Sequence, residues 1–83
     1  MNAKEQQPSA VDITGDYITT FDYDVDGNPI YIGKSDVGTL KSLPLWQIRK
    51  LTYSSGNLVD IQYADGDRNF DNIWDNRVTL SYS

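Results

Sequence analysis

Apolar and polar residues alternate with period two in Phe21-Asp22-Tyr23-Asp24-Val25, and again in Pro29-Ile30-Tyr31-Ile32. Between the two runs stands Asp26-Gly27-Asn28. Strand-period alternation interrupted by Asp-Gly predicts a β-hairpin within Tyr17 to Gly33. With Asp26-Gly27 as the two-residue turn, Tyr23 faces Ile30 and Phe21 faces Ile32, and all four share one side with Val25. Residues 33–44 have no sustained period and are rich in Gly, Ser and Pro, so they read as a connection.

The next strand, Leu45 to Tyr53, is out of phase with itself. Trp46 and Ile48 fall on even positions, Leu51 and Tyr53 on odd ones. Either a bulge near Arg49-Lys50 resets the phase, or both faces of the strand are covered. A partner strand follows over Leu58 to Tyr63. Pairing Leu51 with Ile61 and Tyr53 with Val59 requires a three-residue loop, Ser55-Gly56-Asn57. Phe70, Ile73 and Trp74 have the spacing of one helical turn near 70–75, and Val78, Leu80 and Tyr82 alternate in a last strand over Arg77 to Tyr82. The pattern predicts a mainly β domain over residues 15–83: an antiparallel meander of five or six strands, curled into a small barrel or sandwich, with one helical turn. Residues 1–14 read as an extended polar arm, in which Val11 and Ile13 offer the apolar contacts.

Composition narrows what such a domain does. With 83 residues the chain buries only about 60 % of its unfolded surface. Domains of this size gain stability from disulfides, metals or oligomerisation. There is no Cys and no His, which removes disulfides and disfavours zinc, so oligomerisation is the expected reinforcement and no cofactor is expected. A net charge of −5 argues against nucleic acid and against an anionic membrane as partners. No apolar stretch is long enough to span a bilayer, and Met1 to Gln7 carries no hydrophobic signal region, which predicts synthesis in a cytoplasm.

Candidate chemistry is sparse. Asp22, Asp24, Asp26 and Gly27 form D-x-D-x-D-G, the opening of a calcium loop, but the twelfth position, where a bidentate carboxylate belongs, is Gly33. The three acids are read first as the solvent face of a strand and only second as a weak cation site. Asp65, Asp67, Asp71 and Asp75 read as solvated turn residues, with Asp75 placed to pair with Arg77. Without His or Cys no activated nucleophile can be assembled, so the chain is read as a non-enzyme. The remaining lead is aromatic: two Trp, six Tyr and two Phe. These fill a core, line a sugar-binding surface, or anchor an interface. Tyr31, Trp46, Trp74 and Tyr82, together with Val11 and Ile13, are the partner-binding candidates.

Two resemblances add to this reading. Tyr23-Asp24-Val25-Asp26-Gly27-Asn28-Pro29-Ile30 and Leu51-Thr52-Tyr53-Ser54-Ser55-Gly56-Asn57-Leu58-Val59-Asp60-Ile61 resemble the YD-repeat hairpins of Rhs proteins, without their repeat spacing. Over about residues 23–83, the succession D-G-N-P-I-Y-I-G, L-W-Q-I-R-K-L-T-Y, I-Q-Y-A-D-G-D and F-D-N-I-W-D-N-R-V-T-L-S-Y resembles small uncharacterised virion-associated proteins of tailed bacteriophages. That resemblance implies a structural subunit of a phage particle, a head decoration or tail component. It would bind the major head or tail protein or copies of itself, made in the host cytoplasm and located in the virion. A carbohydrate- or host-protein-binding module using exposed aromatics is the alternative.

Overall fold

The computed structural model describes residues 17–83. The proposed arm over 1–14, with Val11 and Ile13, lies outside the described residues. Four strands, β1 (Tyr17–Tyr23), β2 (Pro29–Asp36), β3 (Pro44–Ser54) and β4 (Asn57–Tyr63), form an antiparallel meander in sequence order. A two-residue strand, β5 (Asn72–Ile73), continues the sheet beside the start of β3, and a 3₁₀ helix over Trp74–Thr79 follows directly. The architecture is therefore mainly β, as the alternation predicts, but the sheet is open and does not close into a barrel.

Both hairpins form with modified register. In the first, Phe21 pairs with Ile32 as expected, but Tyr23 pairs with Pro29 and not Ile30, which becomes the extra residue of a bulge. The cause is Asp24: its Oδ1 accepts the backbone N–H groups of Asp26 and Asn28, and its N–H donates to the Asn28 carbonyl. This Asx turn lengthens the loop beyond two residues. In the second hairpin Leu51 pairs with Ile61 as expected, whereas Tyr53 pairs with Leu58. The turn is the two-residue Ser55-Gly56, with φ of 52° and 84°. Positive φ at both central positions suits the twist of the flanking strands, and Val59 takes up the extra residue as a bulge.

The phase conflict in β3 resolves without a bulge at Arg49-Lys50, because pairing runs unbroken through these residues on both sides. Leu51 therefore points away from Trp46 and Ile48, and both faces of β3 carry apolar side chains.

The chain end differs most from expectation. Ile73 and Trp74 are separated by the start of the 3₁₀ helix, and Phe70 lies outside it, so the three do not form one helical turn. Residues 77–79 are helical, and only Tyr82 reaches strand-like pairing, as an isolated bridge to Ala64. The physical reason is Trp74. Its burial beside Trp46 holds residues 74–79 over one face of the sheet, so that of the chain beyond them only Ser81 and Ser83 reach backbone hydrogen bonds, with Asp65 and Tyr63.

That face holds the core: Tyr31, Trp46, Ile48, Ala64 and Trp74, with Ile18, Ile30, Leu80 and Tyr82 packed against it. The Trp46 and Trp74 rings lie 6.2 Å apart at 43°, and the Trp46 indole N–H donates to the Leu40 carbonyl at 3.0 Å. Gly33 makes this packing possible, since a Cβ there would lie 2.5 Å from the Trp74 ring.

Candidate interaction surface

The register divides the side chains of the sheet into rows, each crossing the strands on one face. Thr20, Gly33 and Ile48 form a row on the core face, and Asp22, Tyr31, Lys50 and Gln62 the next. On the opposite face Phe21, Ile32, Arg49 and Tyr63 are paired in succession across all four strands. One step further along β3, Leu51 pairs with Ile61, and beyond them Tyr53 pairs with Leu58.

Elements cover the two faces unequally. The 3₁₀ helix and the chain end lie over the core face. On the other face the 64–71 segment covers only one end: Gln47 Nε2 donates to the Arg68 carbonyl at 2.9 Å, and Phe70 stacks on Tyr17 at 5.6 Å. Beyond that end the face stays open among the described residues. Phe21 is 47 % exposed, Tyr23 55 % and Ile61 48 %, although all three stand on a regular sheet surface and not at a loop tip. The Phe21 and Tyr23 rings stack at 6.1 Å, and Tyr53 is held in place by its hydroxyl, which donates to the Pro29 carbonyl at 2.8 Å. Leu51, only 7 % exposed yet outside the core cluster, forms the floor of this second apolar layer. Exposed apolar side chains gathered on one sheet face make it the candidate interaction surface of the described residues.

Arg49 is the one charged residue among these open rows. Its Nε is buried and has no hydrogen-bond partner among the described residues. Leaving a buried donor unpaired costs on the order of 1–3 kcal/mol, and more when the donor is charged.

The structure reassigns the sequence candidates. Tyr31, Trp46 and Trp74 are buried core residues, with Trp46 at 0 % exposure, and are corrected from partner-binding to packing roles. Tyr82 is half-buried against Tyr31, at 5.7 Å, and its hydroxyl donates to the Arg77 carbonyl at 2.7 Å. Burial, with Tyr31 adding to it, pushes its phenol well above the ordinary tyrosine range. A sugar-stacking surface built on the two Trp residues is excluded by their burial.

Asp22, Asp24 and Asp26 are not brought together. Asp22 lies on the core face and pairs with Arg77 at 3.0 Å, Asp24 caps its own turn, and Asp26 is exposed. No group of three or more potential metal ligands forms among the described residues. Arg77 takes Asp22, not Asp75, as its partner because its guanidinium lies over the Trp74 ring, at 4.7 Å, facing β1. Among the described residues no helix is long and apolar enough to cross a membrane.

The hairpin face of Phe21, Tyr23 and Ile32 was legible as one face, but its being the uncovered one was not. The signal was Asp22: a charge on the alternate side reads as solvent-facing unless Arg77, 55 residues away, is known to meet it. Comparison with protein-family models, curated proteins and solved structures finds no match to this chain.

Proposed function

We propose that this chain is a structural subunit of a tailed-phage particle, a head decoration or tail component, that works by protein–protein binding and has no catalytic role. The observation that carries the binding reading is the open, apolar, side-chain-ordered face around Phe21, Tyr23, Leu51 and Ile61. A small acidic domain that leaves this face uncovered gains stability by placing it against a neighbour. The phage setting rests on the sequence resemblance over residues 23–83. The partners it implies are the major head or tail protein, further copies of the chain, or both. The absence of His and Cys from the sequence supports a non-enzymatic role.

The test is composition and incorporation. Particles produced by the genome encoding the chain are purified and their proteins quantified by mass spectrometry. The chain is expected at a fixed ratio to the major head or tail protein, and a folded Phe21→Thr/Ile61→Thr variant at less than about a tenth of that ratio. Absence of the wild-type chain from purified particles would sink the phage reading. Full incorporation of the variant would sink the role of the face.

A further inference from the structure

We infer that the open face is a self-association surface: two copies pack these faces together as a two-layer sandwich, related by a two-fold axis that runs across the strands along the Leu51–Ile61 row. This rests on the docking reading of the same face and names its occupant, a second copy of the chain.

Three observations converge on a second copy. The first is charge. The chain carries a net −5, yet the three open rows hold no carboxylate among the described residues. The strand acids Asp22 and Asp60 register with the core face, and Asp36 stands at the covered end opposite Tyr17. Two acidic chains therefore meet here without opposed acids. The second is area. Phe21, Tyr23, Leu58 and Ile61 are each about half exposed. With Tyr53 and the Arg49 stem they leave roughly 500 Å² per chain, so two faces together bury about 1,000 Å², the lower bound of a specific interface. The third is register. The Gln47–Lys34 row is covered by the 64–71 segment, so the rows of Arg49, Leu51 and Tyr53 are the free ones, and Leu51 is the middle of the three. A two-fold axis along the middle row superposes all three on their counterparts. It sets each Arg49 over the Tyr53–Leu58 row of the second copy, where a guanidinium lies favourably over a tyrosine ring. Rows recur every ~6.6 Å, so the two Arg49 residues stand about 13 Å apart along the strands. The sheets then lie ~10 Å apart, the ordinary spacing of a sandwich.

Sedimentation equilibrium of the full chain tests this. A monomer–dimer equilibrium with Kd on the order of 10 µM is expected from an interface of this size. A folded Phe21→Thr/Ile61→Thr variant should raise that Kd at least ~10-fold. The sequence has no Cys, so single substitutions report the register. A short bis-maleimide should join Ile61→Cys chains, which the axis brings face to face. It should leave Val37→Cys chains unjoined, because Val37 is exposed in the β2–β3 connection, at the far end of the sheet from the axis. A chain that stays monomeric at millimolar concentration overturns the inference. If Phe21→Thr/Ile61→Thr is still lost from particles, the docking face stands and its occupant is a different protein; if that variant is incorporated fully, both readings fall. A monomer that dimerises only as Val11→Ser/Ile13→Ser overturns the inference in favour of residues 1–14 as the occupant. A dimer indifferent to Phe21→Thr/Ile61→Thr, or joined equally well through Val37→Cys, overturns it too.

Discussion

At the scale of single residues, Gly33 and Tyr82 carry the sharpest consequences. Gly33 sits in the middle of β2, where a side chain would help the strand, and its φ does not require glycine. The constraint is the Trp74 ring, which a Cβ at this position would meet at 2.5 and 2.7 Å. The ring is wedged against Trp46 and capped by Arg77, so it cannot yield freely. Gly33→Ala should therefore destabilise by ~1–3 kcal/mol, the usual range for overpacking, measured by denaturant unfolding at unchanged slope. Tyr82 makes a prediction about pH. Its phenol is held neutral by burial beside Tyr31, so its folded pKa lies above the unfolded value near 10. At neutral pH both states keep the proton and the contribution is complete. As pH rises past 10 the unfolded chain releases it first, and stability falls. In an absorbance titration, the difference between wild type and Tyr82→Phe should develop only together with alkaline unfolding. A difference appearing in the folded protein in the ordinary tyrosine range would contradict the burial.

At the scale of elements, the hairpins show what alternation can and cannot specify. It placed all four long strands and the pairs Phe21–Ile32 and Leu51–Ile61, because a two-residue period leaves few registers that keep apolar residues together. It missed the bulges at Ile30 and Val59, since these are set by turn hydrogen bonds and positive-φ geometry. The turn Ser55-Gly56 makes this testable. Ser55 pays a small conformational penalty at φ 52°, a region that Asn enters more readily. Ser55→Asn should stabilise by a few tenths of a kcal/mol, raising Tm by about 2–3 °C for a domain of this size. Gly56→Ala, at φ 84°, should cost about 1–2 kcal/mol. The reverse order of the two melting temperatures would show that the turn is not of this type. The C-terminal segment was misread for a different reason. The strand-like spacing of Val78, Leu80 and Tyr82 is outweighed by a tertiary demand, the burial of Trp74, and Val78 ends exposed in the 3₁₀ helix.

At the scale of the whole molecule, the central fact is one sheet with two apolar faces, of which the described residues cover one fully and the other at one end only. The two Trp residues decide which face is covered, because Trp46 on β3 and Trp74 after β5 can bury each other only on the side where Gly33 leaves room. Once that side is chosen, the Phe21–Tyr23 side stays open among the described residues. The sequence makes the rows legible but not this choice, which depends on a contact between residues 46 and 74. The arrangement separates stability from binding. Substituting the core face should unfold the chain: Trp46→Ala removes a fully buried ring at ~3–5 kcal/mol, a large share of the 5–15 kcal/mol expected for a whole domain. Substituting the open face should not. Phe21 and Ile61 are each about half exposed, so Phe21→Thr/Ile61→Thr, with β-compatible replacements, should change stability by only about 1 kcal/mol or less. The same double variant should lose most of the fluorescence of a hydrophobic dye bound to the folded wild-type chain. If the variant instead unfolds like Trp46→Ala, the second apolar layer belongs to the fold of the single chain and the face is not a surface held ready for a partner.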